Sequence, residues 1–522
     1  MLAVSHPPPR SSSLYLVALL AILLAGLAVR LAHLDAPLLE GAAAKQTHTA
    51  MVARNFHRDR AVWLRPTVDD IGRPGYFLKE VPLFPAVVAL IYDLRGGVDE
   101  RVGRLLSIAA WLLGAPLFAA LLRGALSDGE RLVASAWYLA APLAIVYSRA
   151  FMSDAALITA SLATLWALAR WRAEPGLGRA AGVAACAGLA LALKPHAVFW
   201  LGPAGLVLVA TGSTPERPSS RARNTLLLCL LVGIAPAFAW YVHAAAVHRT
   251  YPAAGAMVAE GWIDPRLLLE SRLYAEIARQ TVEMVLTPLG AAVALAGVLL
   301  VRRPWTLIER ALLAWGAGVL VQCLVFATRM FDERARGTEY YQLALVPVAA
   351  WLIARGFGAV VQRLASASAA LRASVVAVLL VALAAGSFVI TRRAIAAPPE
   401  YASLVERCER IRALTAPHED IFVLSDRGGT VLYYCDRRGT ALTLGSAVNP
   451  ALAGEEARAS TDELARALSS ARYLYVPFPE LLDGDSPFVA HLERDWRRVP
   501  GAGELWLFER DGGTNRRASA GS

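Results

Sequence analysis

The sequence predicts an α-helical polytopic membrane protein with a small α/β soluble domain at its C-terminus. Hydrophobic residues make up 56% of the 522 residues, and the mean hydropathy of +0.46 lies well above that of a soluble globular chain. Apolar runs long enough to cross a bilayer recur along most of the chain. After residue 396 they give way to short strand patterns and amphipathic helices.

About eleven apolar runs are predicted to cross the membrane. The first, at 13–32, lacks a small-residue cleavage site, so we interpret it as a retained helix and not a removed signal peptide. A further run at 82–94 is shorter and suits an interfacial helix better than a span. The other predicted spans are 102–122, 131–147, 154–170, 180–193, 197–211, 225–245, 285–301, 311–328, 342–356 and 373–391.

Loop arginines predict the orientation of these spans. If 82–94 does not cross, every loop on one side carries arginine, at 123–131, 170–179, 217–223, 302–310 and 355–372. Cytoplasmic loops are enriched in Lys and Arg, so we expect a cytoplasmic N-terminus and a C-terminus outside. The net charge of +10 then requires no nucleic acid partner, because these arginines face anionic membrane lipid.

Two domains follow from this topology. The membrane domain covers 1–396, and its first external loop, 33–101, includes the polar helix EGAAAKQTHTAMVARNF at 40–56. The second domain, 397–522, is predicted to be extracytoplasmic. Its strands are expected at 420–426, 472–478 and 504–510, and its amphipathic helices at 403–414 and 461–471.

The five cysteines fall into two groups. Cys186, Cys229 and Cys323 lie in predicted spans, where they serve as apolar packing residues. Cys408 and Cys435 lie in the external domain, where an oxidising compartment would permit a disulfide. The bonded and the free states both stay open, because a sequence does not give the distance between the two residues.

No metal site is predicted, because Cys and His show no metal-ligand spacing. No cofactor is certain. The external carboxylates leave a divalent cation open as a cofactor, since oxygen ligands suit such ions.

Five segments in predicted external positions resemble those of a known group. In chain order they are EGAAAKQTHTAMVARNF (40–56), FLKEVPLFPAVVALIY (77–92), YSRAFMSDA (147–155), GLALALKPHAVFW (188–200) and EYYQLALVPVAA (339–350). They resemble the GT-C membrane glycosyltransferases, in particular the protein O-mannosyltransferase and aminoarabinose-transferase families, over roughly 14–390. The resemblance implies a GT-C-like membrane domain and a sugar donor linked to polyprenyl phosphate.

In these families the first external loop carries an acidic residue that acts as the base or positions the acceptor. Many members have an Asp-Glu pair where this chain has Lys45 and Gln46, so that pair has no counterpart here. A variant pattern, acid–Gly–x–Arg–Gln–x–x–Thr–Ala, resembles this loop more closely and makes Glu40 the acid.

The other segments imply further site residues. By the same resemblance, Arg149 and Asp154 face the active site and Lys194 contacts the carrier phosphate. The late external segment resembles one that also lines the site, through Tyr340 and Tyr341.

Glycosyl transfer from a lipid phosphate requires a base and fixed cations. The acceptor hydroxyl loses a proton as it attacks, which favours a positioned carboxylate, and the candidates are Glu40, Glu80 and Asp154. The leaving phosphate gains negative charge, and one cation contact contributes on the order of 3 kcal/mol. The candidate cations are Lys79, Arg149, Lys194 and Arg329, and the candidate lining residues are His48, Tyr340 and Tyr341.

Each candidate also has a structural interpretation. Asp154 lies at a helix N-terminus, which favours an acid, and Lys194 could extend to the membrane interface. Lys79 and Glu80 could pair at the surface, where an ion pair contributes little. The tyrosine pair could belong to the aromatic belt, and His48 to a polar helix face.

The leading function is therefore an inverting glycosyltransferase on the outer face of a bacterial inner membrane, with a lipid, polysaccharide or protein acceptor. The bacterial assignment rests on the high Ala, Arg and Gly content. A flippase for a lipid-linked sugar is an alternative, although transporters place ionisable residues near the bilayer midplane and these spans have few. A catalytically inactive binder stays open, because the Asp-Glu pair is missing.

Overall fold

The computed structural model of the chain is mostly helical. It describes residues 13–60, 62–211, 218–252, 255–256, 264–301, 304–331, 338–425, 427–442, 468–479 and 487–510. The chain divides into two compact units. The first consists of Met1–Ala42, Lys79–Ala246 and Ala256–Ala396, and the second of Ala43–Leu78, Val247–Gly255 and Ala397–Ser522.

The first unit contains the apolar helices. Its main helices are Ser13–Leu31, Leu83–Arg95, Glu100–Leu121, Asp128–Ala140, Pro142–Ser148, Asp154–Ala173, Leu177–Leu193, Val198–Ala210, Ser220–Thr250 (which continues into the second unit), Ser271–Gln280, Pro288–Leu299, Leu307–Val325, Ala327–Phe331, Val346–Arg363 and Ala369–Ala394. Shorter helical turns are Pro195–Ala197, Leu267–Leu269, Thr281–Leu286 and Glu339–Leu345. Each of the eleven predicted spans coincides with a helix or a bent helix pair.

Six helices in the described part of the chain are long and apolar enough to cross a membrane. They are Ser13–Leu31, Glu100–Leu121, Ser220–Thr250, Leu307–Val325, Glu339–Arg363 and Ala369–Ala394. If each of two bent helix pairs is one span, the number rises to 8. The predicted polytopic helical fold is therefore confirmed, while the count of eleven spans stays a prediction. Leu83–Arg95 has 13 residues, and the interfacial position expected for it stays a prediction.

The two bent pairs have identifiable causes. Asp128–Ala140 and Pro142–Ser148 meet at 55°, because Pro142 has no N–H to continue the helical hydrogen bonds. Ser271–Leu286 and Pro288–Leu299 meet at 93°, where Thr287 has a φ of +58° directly before a proline.

Large aromatic side chains fill the core of the first unit. Trp111 stacks on Tyr138 with ring centroids 4.4 Å apart, and both are fully buried. Close helix packing requires glycine at one crossing. A Cβ on Gly356 would lie 1.8 Å from the carbonyl oxygen of Val293, so only glycine allows this approach.

The second unit contains a five-stranded sheet. Its spatial order is Gly439–Leu442, Ile421–Leu424, Tyr473–Val476, Trp506–Arg510 and Trp496–Arg498. The first three strands run parallel to one another. Strand Trp506–Arg510 runs antiparallel to both of its neighbours, Tyr473–Val476 and Trp496–Arg498. Helices Leu404–Leu414, Gly428–Cys435 and Pro487–Asp495 accompany the sheet. A further short strand of this unit is Phe77–Leu78, and another, Gly255–Ala256, lies where the chain passes from this unit to the first.

The structure supports most of the elements expected after residue 396. The predicted strands at 420–426, 472–478 and 504–510 and the helix at 403–414 are present. Strands Gly439–Leu442 and Trp496–Arg498 were not predicted. Of the helix expected at 461–471, residues 461–467 lie outside the described residues, and Leu468–Ser470 form a short 3-10 turn.

The polar helix that follows the first span belongs to the second unit. This helix, Ala43–Arg58, is held by Arg54, which donates to the carbonyl of Tyr433 at 2.9 Å and to Asp69 at 2.6 Å. The first loop is predicted to lie wholly within the membrane domain, whereas the contacts group 43–78 and 247–255 with the chain after Ala396. Sequence order does not show such contacts, because the partners lie 379 positions apart.

A disulfide joins Cys408 to Cys435, with Cα atoms 4.2 Å apart. Of the bonded and free states that the sequence leaves open for these two cysteines, the structure has the bonded one.

We expect Cys408→Ala with Cys435→Ala to lower the free energy of unfolding of this unit by about 3–4 kcal/mol, because the cross-link restricts the unfolded chain. Differential scanning fluorimetry of the purified chain measures the change. Cys323→Ala, at a free cysteine, is the control under reducing and non-reducing conditions. A reducing agent that leaves the unfolding temperature unchanged would contradict the prediction.

Candidate active site

The centre of the candidate site is a buried ion pair where two adjacent helices meet. Helix Asp154–Ala173 begins at Asp154, and helix Leu177–Leu193 ends just before Lys194, because Pro195 disfavours helix at the residue before it. The link between the helices is short, so the start of one lies beside the end of the other. The Lys194 ammonium donates to both carboxylate oxygens of Asp154 at 2.9 Å.

Glu80 brings a second carboxylate to the same ammonium. Its Oε1 lies 3.7 Å from Lys194 Nζ, and Ser153 Oγ donates to its Oε2 at 3.5 Å. The side chains of Lys194 and Asp154 are 3% and 4% exposed, whereas that of Glu80 is 25% exposed. Although burial opposes the charged form, Asp154 and Glu80 raise the pKa of Lys194 above its ordinary value. The amine is therefore a fixed cation at neutral pH.

Aromatic rings cover one side of this cation. Lys194 Nζ lies 5.1 Å from the ring centroid of Tyr340, a distance that permits a cation–π interaction. The Tyr340 and Tyr341 rings are 4.4 Å apart. Tyr147 extends the cluster, with its ring 5.9 Å from that of Tyr340 and its hydroxyl donating to Glu339 at 3.0 Å.

A second buried charge cluster forms around Glu40. Its Oε1 accepts a hydrogen bond from Arg104 at 2.6 Å and lies 3.5 Å from Arg149 Nη2. All three side chains are buried. Arg104 also donates to the carbonyls of Ala36 and Pro37, and Arg149 to that of His33. Burial lowers the pKa of Arg149, while the nearby Glu40 opposes this shift.

The remaining predicted residues lie in different surroundings. Lys79 precedes Glu80 and is half-buried. Arg329 lies on helix Ala327–Phe331 and is also half-buried. Its positive charge interacts electrostatically with Tyr341. His48 belongs to the second unit, where it hydrogen-bonds Asp70 at 2.7 Å. The structure thus brings Glu80, Asp154, Lys194 and the tyrosine pair together, and it groups Glu40 with Arg149.

Three residues of these clusters were missed in the sequence. Arg104 interrupts an apolar run, and this feature of the sequence could have marked it as a buried charged residue. Tyr147 and Glu339 lie inside segments already noted for their resemblance, but hydrogen bonding across 192 positions leaves no trace in local sequence. Among the described residues, no group of three or more His, Cys, Asp or Glu side chains could hold a metal ion.

Comparisons with known proteins show what the chain is similar to. The family model for dolichyl-phosphate-mannose-protein mannosyltransferase matches residues 79–240, which include Glu80, Asp154 and Lys194. No curated protein sequence matches. Among solved structures, ArnT from Cupriavidus metallidurans bound to undecaprenyl phosphate is similar, with a TM-score of 0.60 and 13% identity over 96% of this chain and 99% of that one.

Two further structures share the fold. The archaeal oligosaccharyltransferase AglB from Archaeoglobus fulgidus, in complex with an inhibitory peptide and a dolichol-phosphate, has a TM-score of 0.55 and 12% identity, covering 96% of this chain and 75% of that one. Arabinofuranosyltransferase AftD from Mycobacteria has a TM-score of 0.52 and 17% identity, and the match covers 90% of this chain and 37% of that one. The resemblance noted in the sequence is confirmed, and the chain has the fold of the GT-C membrane glycosyltransferases.

Proposed function

We propose that the chain transfers a sugar from a polyprenyl-phosphate carrier to an acceptor hydroxyl. The observation that supports this most is the buried Lys194 ammonium between Asp154 and Glu80. A fixed cation in a low-dielectric site stabilises the negative charge that develops on a leaving phosphate. ArnT and AglB, which share the fold, have been solved with undecaprenyl phosphate and a dolichol-phosphate respectively.

The proposed base is Glu80. Its side chain is 25% exposed, against 4% for Asp154 and 8% for Glu40, so it is the most accessible of the three carboxylates to an incoming hydroxyl. Removal of the hydroxyl proton requires such an acceptor within hydrogen-bond reach. Direct attack by that hydroxyl inverts the configuration at the anomeric carbon.

The other two carboxylates are proposed to position cations. Asp154 holds Lys194, and Glu40 holds Arg104 and Arg149, each within a buried cluster. Lys79 and Arg329 are further candidates for contact with the phosphate, and Tyr340 and Tyr341 would line the site. We assign no role to His48, which is hydrogen-bonded to Asp70. The acceptor class stays open among lipid, polysaccharide and protein.

We place the reaction on the outer face of a bacterial inner membrane. The disulfide in the second unit supports an oxidising compartment for that unit. The arginine distribution predicts the same side for the segments that carry Glu80, Arg149 and Lys194. The N-terminus would then be cytoplasmic.

A transfer assay tests the function and the base together. The purified chain in liposomes receives a panel of radiolabelled undecaprenyl-phosphate sugars, with a membrane extract as acceptor, and loss of sugar from the carrier is followed. We expect Glu80→Gln to slow transfer about a hundredfold without weakening carrier binding. Glu283→Gln, at an exposed acid paired with Arg279, is the matched control.

Two outcomes would contradict parts of the proposal. Saturable binding of the carrier without turnover of any sugar by the native chain would favour a flippase or an inactive binder. Transfer that Glu80→Gln leaves unchanged would exclude Glu80 as the base and return that role to Glu40.

A further inference from the structure

A basic cavity lies at the far ends of two helices that begin at the candidate site. It is bounded by the C-terminal ends of Glu100–Leu121 and Asp154–Ala173 and has a volume of about 560 Å³. From Asp154 to Arg170 the helix rises about 24 Å at 1.5 Å per residue, which approaches the thickness of a bilayer hydrocarbon core. The cavity therefore lies at the opposite membrane face from the Lys194 cluster.

Three arginines line this cavity. Arg123 follows the first helix, Arg170 lies near the end of the second, and Arg179 lies in the first turn of Leu177–Leu193. The Arg170 guanidinium lies over the Trp166 ring, 5.2 Å from its centroid. Stacking holds the planar group in place while its N–H donors stay available at the edge.

Among the described residues that line the cavity, the only acid is Glu174, which pairs with Arg179. Arg179 also donates to the Glu174 carbonyl at 2.7 Å. The described part of the lining thus carries three positive charges against one negative charge. Such an excess favours an anionic occupant, and guanidinium groups match phosphate oxygens in a bidentate geometry.

The other described residues of the lining are apolar or glycine. Ile308 and several alanines form the wall beside Trp166, and tryptophan is favoured where hydrocarbon meets headgroups. A soluble anion would gain nothing from such a wall. An anion that carries acyl chains would satisfy both the arginines and the apolar surface, because basic pockets between helices suit lipid headgroups.

We propose that this cavity binds the phosphate headgroup and the first acyl methylenes of an anionic glycerophospholipid in the leaflet opposite the Lys194 cluster. The inference does not depend on the proposed transfer reaction. A bound lipid would link the ends of three helices, Glu100–Leu121, Asp154–Ala173 and Leu177–Leu193, two of which carry Asp154 and Lys194 near their other ends.

Native mass spectrometry of the purified full chain, titrated with phosphatidylglycerol or phosphatidylcholine, tests the site. Substituting all three cavity arginines, as R123Q, R170Q and R179Q, is expected to weaken phosphatidylglycerol binding about tenfold, or about 1.4 kcal/mol. The matched control removes the same charge at exposed arginines elsewhere in the predicted cytoplasmic loops, as R223Q, R310Q and R363Q. We expect less than about a twofold change there.

Three other outcomes of these binding measurements would overturn the proposal. Equal loss of phosphatidylglycerol binding in both triple variants would overturn it in favour of diffuse attraction between the loops and the lipid. Binding of glycerol 3-phosphate as tight as that of phosphatidylglycerol would overturn the lipid as the source of the phosphate. Phosphatidylcholine bound as well as phosphatidylglycerol would overturn the requirement for negative charge.

A single substitution tests the site without removing a cation. E174Q removes the acid that competes for Arg179 and keeps the side-chain shape, so phosphatidylglycerol should bind about two- to fivefold more tightly. Unchanged or weaker binding by this variant would overturn the proposal. Thermal unfolding of each variant, measured without added lipid, identifies any change that comes from misfolding.

Discussion

Lys194→Met is expected to slow sugar transfer by about 10²–10³-fold. Methionine keeps much of the side-chain length but removes the ammonium that lies 2.9 Å from both oxygens of Asp154. The leaving phosphate would then gain its charge without the nearest fixed cation. Undecaprenyl phosphate, titrated into the purified chain, should also bind roughly tenfold more weakly.

Lost activity must be separated from lost stability, because Lys194→Met leaves Asp154 buried without its cation. Breaking a buried pair from one side costs about 3–5 kcal/mol of stability. The double variant Lys194→Met with Asp154→Asn removes both charges, so it should unfold close to the native temperature while transfer stays slow. A double variant that transfers sugar at the native rate would show that the pair is only structural.

A second buried pair provides the matched control. Glu309 and Arg355 are fully buried and 2.6 Å apart. Trp351 donates a hydrogen bond to Glu309, and Arg355 donates to the carbonyls of Gly297 and Val301. Glu309→Gln with Arg355→Met should change the unfolding temperature and leave the transfer rate per folded molecule within about twofold. Lys194→Arg keeps the charge and is expected to fall between the native chain and Lys194→Met.

The helical architecture could be predicted because it depends on local pattern. Long apolar runs require burial in lipid wherever they occur, so each of the predicted spans coincides with a helix or a bent pair. The strands that the sequence pattern predicted are rich in aromatic and β-branched residues. Strand Gly439–Leu442 was missed because GTAL combines a glycine with weak alternation, and its strand conformation comes from pairing with Ile421–Leu424.

The candidate site was predicted only in part, since side-chain contacts connect distant positions. The resemblance identified Asp154 and Lys194, but not that they pair with each other across 40 positions. The resemblance also makes Glu40 the acid of the first external loop, but not that it is buried against Arg104, 64 positions away. An arginine inside an apolar run is costly unless it has a partner, so Arg104 itself predicts a buried acid, although not which one.

Glu40→Gln is expected to lower the stability of the membrane unit by about 3 kcal/mol. Glutamine keeps the shape of the side chain but leaves Arg104 and Arg149 buried without the carboxylate that they share. The midpoint of thermal unfolding of the purified chain, measured in the same detergent, reports the change. Glu283→Gln, which removes an acid from an exposed pair with Arg279, should alter stability by less than about 1 kcal/mol.

A compensating substitution distinguishes a positioning role for Glu40 from a role as the base. Adding Arg104→Gln to Glu40→Gln removes one of the two unpaired cations, so stability should largely return. If Glu40 positions cations and Glu80 removes the proton, transfer by this double variant should stay within about tenfold of the native rate. If Glu40 is the base, the double variant will fold normally and still transfer sugar about a hundredfold more slowly, because no carboxylate then occupies that position. The ratio of transfer rate to folded protein therefore decides between the two carboxylates independently of stability.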